Sequence, residues 1–275
     1  MSRKVAFLGG GKMAEALLSG LIRSGGRSPE EIMVTCRRDE RARELAGKYG
    51  VTATLDNAEA ARWANVLVLM AKPQDMETLI EQIREHVTTE SLVVSFAAGI
   101  RTAFVEKRLP DDVPVVRVMS NVPVMVDEAM SVIAAGRHAD ESHLALAEEL
   151  LGYVGKVLRL NEKHLDAVTA TSGSGPAYFF LLAEAMIEAC ILLGLSRDVA
   201  TDLIIQTMLG SAKMLRDTGK HPVELREMVT SPGGTTIEAI RHLEEAGVRA
   251  AFLNAIDAAR KRSEQLAQGG EDDDD

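Results

Sequence analysis

The chain has 275 residues, of which 46% are hydrophobic and 26% charged, enough for one large or two ordinary folded domains. A formal net charge of −10 and an aromatic content of 4% supply neither the basic surface nor the stacking rings of a nucleic-acid binder. Half of that charge sits in the terminal EDDDD, Glu271 to Asp275, a like-charge run expected to form a disordered tail over 269–275.

At the other end, MSRKVAFLGGGKMAEALL holds only the short VAFL as a continuous apolar run, so no secretory signal is expected. From Lys4 to about Leu160, β-branched runs (KVAFLG, IMVTC, NVLVLMA, SLVVSFAAG, PVVRVM, MSVIAA, KVLRL) alternate with helical stretches such as MAEALLSGLIRSG and DMETLIEQIREHV. Apolar runs buried on both faces and joined by amphipathic crossovers predict an α/β domain with a doubly wound, mostly parallel sheet over 1–160. The first run leads into GGGKMA, so Gly9, Gly11 and Ala14 hold the G-x-G-x-x-A positions between a first strand and a first helix. Each small residue has a task there: a tight turn, room for a diphosphate against backbone, and close helix packing. That pattern predicts a Rossmann-type dinucleotide site; an ordinary tight turn is the alternative.

The second strand, IMVTC, ends in Cys36-Arg37-Arg38 rather than in a ribose-binding acid. Two guanidiniums suit a 2′-phosphate, so NADP(H) is favoured and NADH is the alternative. With Asp39 and Glu40 following, a solvated basic pair before a charged helix is the other reading. Ligands of an open α/β sheet sit outside the carboxyl ends of strands. The candidate cofactor residues are therefore Gly9, Gly11, Lys12, Met13 and Ala14 in the first turn; Cys36, Arg37 and Arg38 after the second strand; Asn57; Ala71, Lys72 and Pro73 in MAKPQ; Ala97 and Ala98 in FAAGI; and Asn121 in MSNVP. Asn121 serves equally as a turn cap.

After about Asn161 strand-like runs stop, and helices are expected over Pro176 to Leu193, Arg197 to Asp217, Thr235 to Glu245 and Val248 to Leu266. These define an all-α second domain over 161–268. Its greasiest stretch, Ala177 to Leu193, is short for a span and carries Glu184 and Glu188, so it reads as a buried or interfacial helix and not as a membrane segment. Being apolar nearly all round, it needs partners on every side. Cys36 and Cys190 form no C-x-x-C, which argues against a disulfide framework or a metal site and for a reducing, cytoplasmic compartment.

FLGGGKMAEALLSGL, MAKPQ, SFAAGI, VVRVMSNVP, SGSGPAYFFLLAEAM and VTSPGGTTIEAIRHLE, in this order, resemble the pyrroline-5-carboxylate reductase family over nearly the whole chain. The resemblance implies NAD(P)H-dependent reduction of a cyclic imine to proline. It further implies a homodimer through the C-terminal helices, with assembly of five dimers into a decamer left open. Ser120 and Val122 depart from the family's RVMPNTPA, and Asp127 and Ala129 replace glycines of its VGEGMT. The substrate bears a carboxylate and an easily protonated C=N bond, so hydroxyls and backbone suffice for it. Gly233, Gly234, Thr235 and Thr236 would offer N–H groups at a helix start to the carboxylate, aided by Ser231 or Thr235, while Thr236 faces the imine nitrogen. A plain helix cap by Ser231 or Thr235 is the alternative. Glu162 matches an acidic position that contributes to the substrate site in some relatives, or simply favours a helix N-terminus.

Three other functions compete. A β-hydroxyacid-type dehydrogenase would need a lysine on the long helix, and none follows SGSGP before Lys213. A broader cyclic-imine reductase and a non-catalytic NADP-binding sensor or scaffold remain open.

Overall fold

The computed structural model describes residues 4–269, so EDDDD lies outside the described residues. Five strand–helix pairs come first: β1 (Val5–Leu8) and α1 (Lys12–Arg23), β2 (Ile32–Thr35) and α2 (Asp39–Tyr49), β3 (Thr52–Thr54) and α3 (Asn57–Trp63), β4 (Val66–Leu69) and α4 (Met76–Ile83), β5 (Leu92–Ser95) and α5 (Thr102–Glu106). They are followed by β6 (Val115–Met119), β7 (Ala129–Ala135), α6 (Glu141–Gly152), β8 (Gly155–Arg159) and α7 (Leu165–Val168). The strands form one sheet in the order β3-β2-β1-β4-β5-β6-β7-β8, in which only β6 and β7 pair antiparallel. Val5 of β1 lies opposite Ile32 of β2 on one side and Val66 of β4 on the other. The chain order therefore reverses beside β1, the position at which such sheets open a ligand crevice.

Alternate residues of β1 enter opposite cores, as a period of two requires. Val5 and Phe7 join Leu17 and Leu18 of α1, Leu45 of α2 and Leu150 of α6. Ala6 and Leu8 join Ala60 of α3 and Met76 and Ile80 of α4. Each such large side chain taken out of water contributes roughly 1.5–3 kcal/mol. The edge strand β3, Thr-Ala-Thr, was not expected from sequence because three half-open, largely polar residues give no apolar run.

The family departures have local accommodations. Asp127 takes a positive φ of 59° in place of glycine, and Arg23 grips its carboxylate with two hydrogen bonds of 3.0 and 2.6 Å. Asp tolerates this backbone region better than most residues. Ser131 donates to the Ser120 hydroxyl at 2.9 Å, a buried pair joining β7 to the end of β6. The Ala129 backbone lies so close to Gly155 that a Cβ there would come 2.2 Å from the Ala129 carbonyl oxygen.

The chain divides into two compact units, 1–174 with 259–275, and 175–258. This division falls later than the 160/161 boundary expected from sequence, because Leu165 and Val168 of α7 are buried against Val132 and Ala134 of β7. The second unit comprises α8 (Gly175–Leu192), α9 (Arg197–Thr218), α10 (Pro222–Met228), α11 (Thr235–Glu245) and the first part of α12 (Val248–Gly269). Four of these helices match expectation closely; α10, a seven-residue turn of helix begun by Pro222, was missed. The last part of α12 belongs to the first unit, where Ser263 donates to Asp166 at 2.7 Å and the Leu266 backbone lies against Gly99.

Candidate active site

The first turn places its small residues as the cofactor reading requires. Gly9 has φ 118°, rarely adopted by L side chains, and a Cβ on it would lie 3.0 Å from the Met70 carbonyl oxygen. Its N–H donates to Thr35 Oγ1 at 3.0 Å. Gly11 precedes α1 without any side-chain cap, and a Cβ on it would meet nothing within 4 Å. Open space above an uncapped helix N-terminus fits a diphosphate. Ala14 is fully buried in the close helix-to-sheet contact, and Met13 packs on the same core.

A cavity of about 870 Å³ opens over this turn, within the usual size range of ligand sites. Gly9, Gly11, Lys12, Cys36, Arg37, Arg38, Asn57, Ala71 and Lys72 all line it. Arg37 is 85% exposed and reaches Asp75 at only 3.4 Å, while the Arg38 guanidinium has no hydrogen-bond or ion-pair partner among the described residues. Asp39 is engaged by Arg43 one turn along its own helix and pairs with neither Arg37 nor Arg38. Cys36 is buried with its thiol pKa pushed up by that burial, and a Cβ on Gly10 would come 2.4 Å from its sulfur. It serves as neutral packing behind the loop. Asn57 donates to Gln82 Oε1 at 2.7 Å, and its own buried Oδ1 has no hydrogen-bond partner.

Other expected cofactor residues lie elsewhere. Pro73 opens a short 3-10 turn, Ala97 is buried in the core under α4, and Ala98 is exposed; none of the three lines the cavity. Asn121 is buried with its amide engaged internally: Nδ2 donates to the Ser172 carbonyl and Oδ1 accepts from Met130 N–H, both at 3.0 Å. Ser172 belongs to a π-helical turn, Thr169–Gly173, and Asn121 thus ties that turn to the sheet. Glu162 is likewise engaged. It accepts from Thr102 N–H and Oγ1, both at 2.8 Å, and from Arg117 at 3.2 Å. Arg117 is 4% exposed, and a guanidinium so buried requires this countercharge.

In the second unit, the entrance to α11 is open. Gly233 has a left-handed φ of 67°, and Gly234 donates its N–H to the Ser231 carbonyl at 3.1 Å. That bond withdraws Gly234 from the expected set of carboxylate donors and leaves the N–H groups of Thr235 and Thr236 in the first helical turn. No side chain caps α11, which excludes the plain-cap role for Ser231 and Thr235. Thr230 donates to the Arg226 carbonyl at 2.6 Å, whereas the hydroxyls of Ser231, Thr235 and Thr236 have no partner among the described residues.

Sequence reading missed Thr35, Arg41, Glu15 and Gln82, all of which line the cavity. Thr35 follows from its place at the end of β2. The other three sit on helices with ordinary polar spacing and gave no signal.

Residues 162–266 match the family described as pyrroline-5-carboxylate reductase dimerisation, and residues 4–99 match one described as NADP oxidoreductase, coenzyme F420-dependent. The pyrroline-5-carboxylate reductase of Corynebacterium melassecola is 45% identical, covering 96% of this chain and 98% of that protein. Among solved structures, the pyrroline-5-carboxylate reductase of Coxiella burnetii superposes with a TM-score of 0.91 at 38% identity, covering 97% of this chain and 99% of that one. The pyrroline carboxylate reductase of Plasmodium falciparum, solved with NADP bound, gives 0.88 at 25% identity over 96% of this chain and 98% of that one. With both units matched along nearly their whole length, the chain belongs to the pyrroline-5-carboxylate reductase family.

Proposed function

We infer that the chain reduces L-1-pyrroline-5-carboxylate to L-proline, the last step of proline biosynthesis, as a cytoplasmic homodimer that prefers NADPH to NADH. The observation that carries this reading is the likeness to reductases of that name across both units. Local geometry agrees with it. The open first turn of α1 and the two available guanidiniums at the end of β2 fit a dinucleotide bearing a 2′-phosphate. Bound there, NADPH supplies the hydride.

The α11 entrance receives the substrate. Backbone N–H groups of Thr235 and Thr236 hold its carboxylate with the help of the helix dipole, and Ser231 or Thr235 adds a hydroxyl. Thr236 then directs its hydroxyl to the ring nitrogen, which gains its proton readily enough that no strong acid is required. The chain's contribution is orientation of an already electrophilic carbon.

The helical stretch from Glu162 to Leu192 contains an 18-residue window of mean hydropathy 1.5, enough by length and composition alone to cross a membrane. We read it as dimer surface, since it falls within the matched dimerisation family. Five dimers closing into a decamer is the larger assembly to be sought by light scattering.

The deciding experiment is NADPH oxidation with pyrroline-5-carboxylate beside its six-membered homologue. Turnover of the five-membered imine supports the reading, comparable turnover of both makes the chain a broader imine reductase, and turnover of neither despite NADPH binding makes it a sensor or scaffold.

A further inference from the structure

One cluster at the cavity lies outside every role assigned above. Glu15 stands in the first turn of α1, the helix end that receives the diphosphate, where a bare carboxylate would repel it. The side chain is not bare. Arg41 donates to its Oε2 at 2.6 Å, and Lys48 and Tyr49 donate to its Oε1 at 2.8 and 2.7 Å. Hydrogen bonds from Lys48 and then Arg41 hold its pKa down at about 2. The same Arg41 guanidinium donates through Nε to the Gly10 carbonyl at 3.0 Å and pairs with Glu44 at 2.8 Å. Arg41 and Glu15 are only 18% and 19% exposed, so their geometry is set by the fold and screened little by solvent.

We propose that Arg41 is a positioning residue for the cofactor diphosphate, fixing the glycine turn through Gly10 while neutralising Glu15 so that the α1 N-terminus accepts a dianion. The proposal rests on the cavity being a dinucleotide site. It separates two arginine functions. Arg37 and Arg38 would read the 2′-phosphate and distinguish the cofactors, whereas Arg41 acts on the part that NADPH and NADH share.

Fluorescence titration of both nicotinamides against the folded full-length chain tests this, with melting curves taken in parallel. Arg41→Ala should weaken NADPH and NADH by the same factor, about tenfold, the order of effect expected when a carboxylate beside the diphosphate loses part of its neutralisation. Adding Glu15→Gln removes the carboxylate left with only Lys48 and Tyr49 as partners and should recover about threefold or more of that loss for both. A residue that merely braced the fold would show no recovery, since Glu15→Gln weakens further bonds. Should Arg41→Ala not fold, Arg41→Gln, which keeps a donor for Gly10 but no charge, is judged on the same two criteria. Loss confined to NADPH, or a double variant binding no better than the single one, overturns the proposal. Failure of the unmodified chain to bind either nicotinamide overturns the cofactor assignment and this inference with it.

Discussion

The first unit buries most of its large apolar side chains, whereas the second leaves most of them exposed. In the first, Phe7, Leu8, Leu17, Ile80 and their neighbours are sealed between helices and sheet, and even the awkward Arg117 has its carboxylate. In the second, Ala200 and Ile204 are the only buried hydrophobic residues among the described ones, while Phe179, Phe180 and Leu181 on α8 are each more than 60% exposed. One unit is a finished Rossmann-type body built to hold a cofactor. The other is half of a core, and the matched dimerisation family supplies the missing half as a second copy of the chain. Apolar exposure on this scale marks an interface and not a solvated surface.

The contrast is most easily broken at α8. Leu182→Glu should raise the dimer dissociation constant by about 100-fold or more, roughly 2.7 kcal/mol, and lower solubility, while leaving the NADPH titration of any remaining soluble chain intact. Sedimentation checks the assembly; an unchanged dimer would show that this face is not the interface. Next in size is Thr236→Ala at the α11 entrance. It should lower kcat about 5- to 150-fold, as loss of 1–3 kcal/mol of transition-state stabilisation implies, with less effect on binding of proline. The deficit should shrink toward low pH, where the imine arrives protonated. Unchanged kcat with a lowered melting temperature would assign Thr236 to the helix alone.

Within the finished unit the expected effects are smaller. Arg37→Ala should raise KM for NADPH about tenfold, near 1.4 kcal/mol, and leave KM for NADH unchanged. Equal shifts would refute a 2′-phosphate contact. Smallest is the pH dependence of Glu15. Its pKa is lowered from 4.5 to about 2, so the stabilisation is fully present above about 4.5 and is lost as pH falls through about 2. The advantage of the unmodified chain over Glu15→Gln, on the order of 1 kcal/mol after solvent screening, should accordingly be constant above pH 5 and fade below it in urea titrations. An advantage independent of pH would remove the charge from the account.

The split between the units also governs what could be read from sequence. Apolar runs between glycines announced seven of the eight strands, and helix lengths in the second half came within a few residues. Gly9, Gly11 and Ala14 were legible because a local turn dictates residue size at fixed spacing. Arg41 and Glu15 were not, since 26 residues separate them and only the packing of α2 beside α1 makes them partners. The same limit hid the internal partners of Asn121 and Glu162. Both are polar residues at strand or helix ends, where ligands are often bound, and sequence offered no sign of Ser172 and Arg117 waiting 51 and 45 residues away. At the α11 entrance, by contrast, Ser231 to Thr236 are neighbours in the chain, so a helix start there could be read from the order of residues, and the structure shows that no side chain caps it.

The return of α12 to the first unit bears on how the protein is made. Gly99, in the turn after β5, rests on the Leu266 backbone, and Asp166 holds Ser263, so the cofactor-binding body is discontinuous in the chain. A ribosome delivering residues from the N-terminus releases the sheet long before these contacts exist, and the helices in between must all be synthesised first. The nascent first unit thus waits with that seam unsealed until Ser263 and Leu266 have emerged.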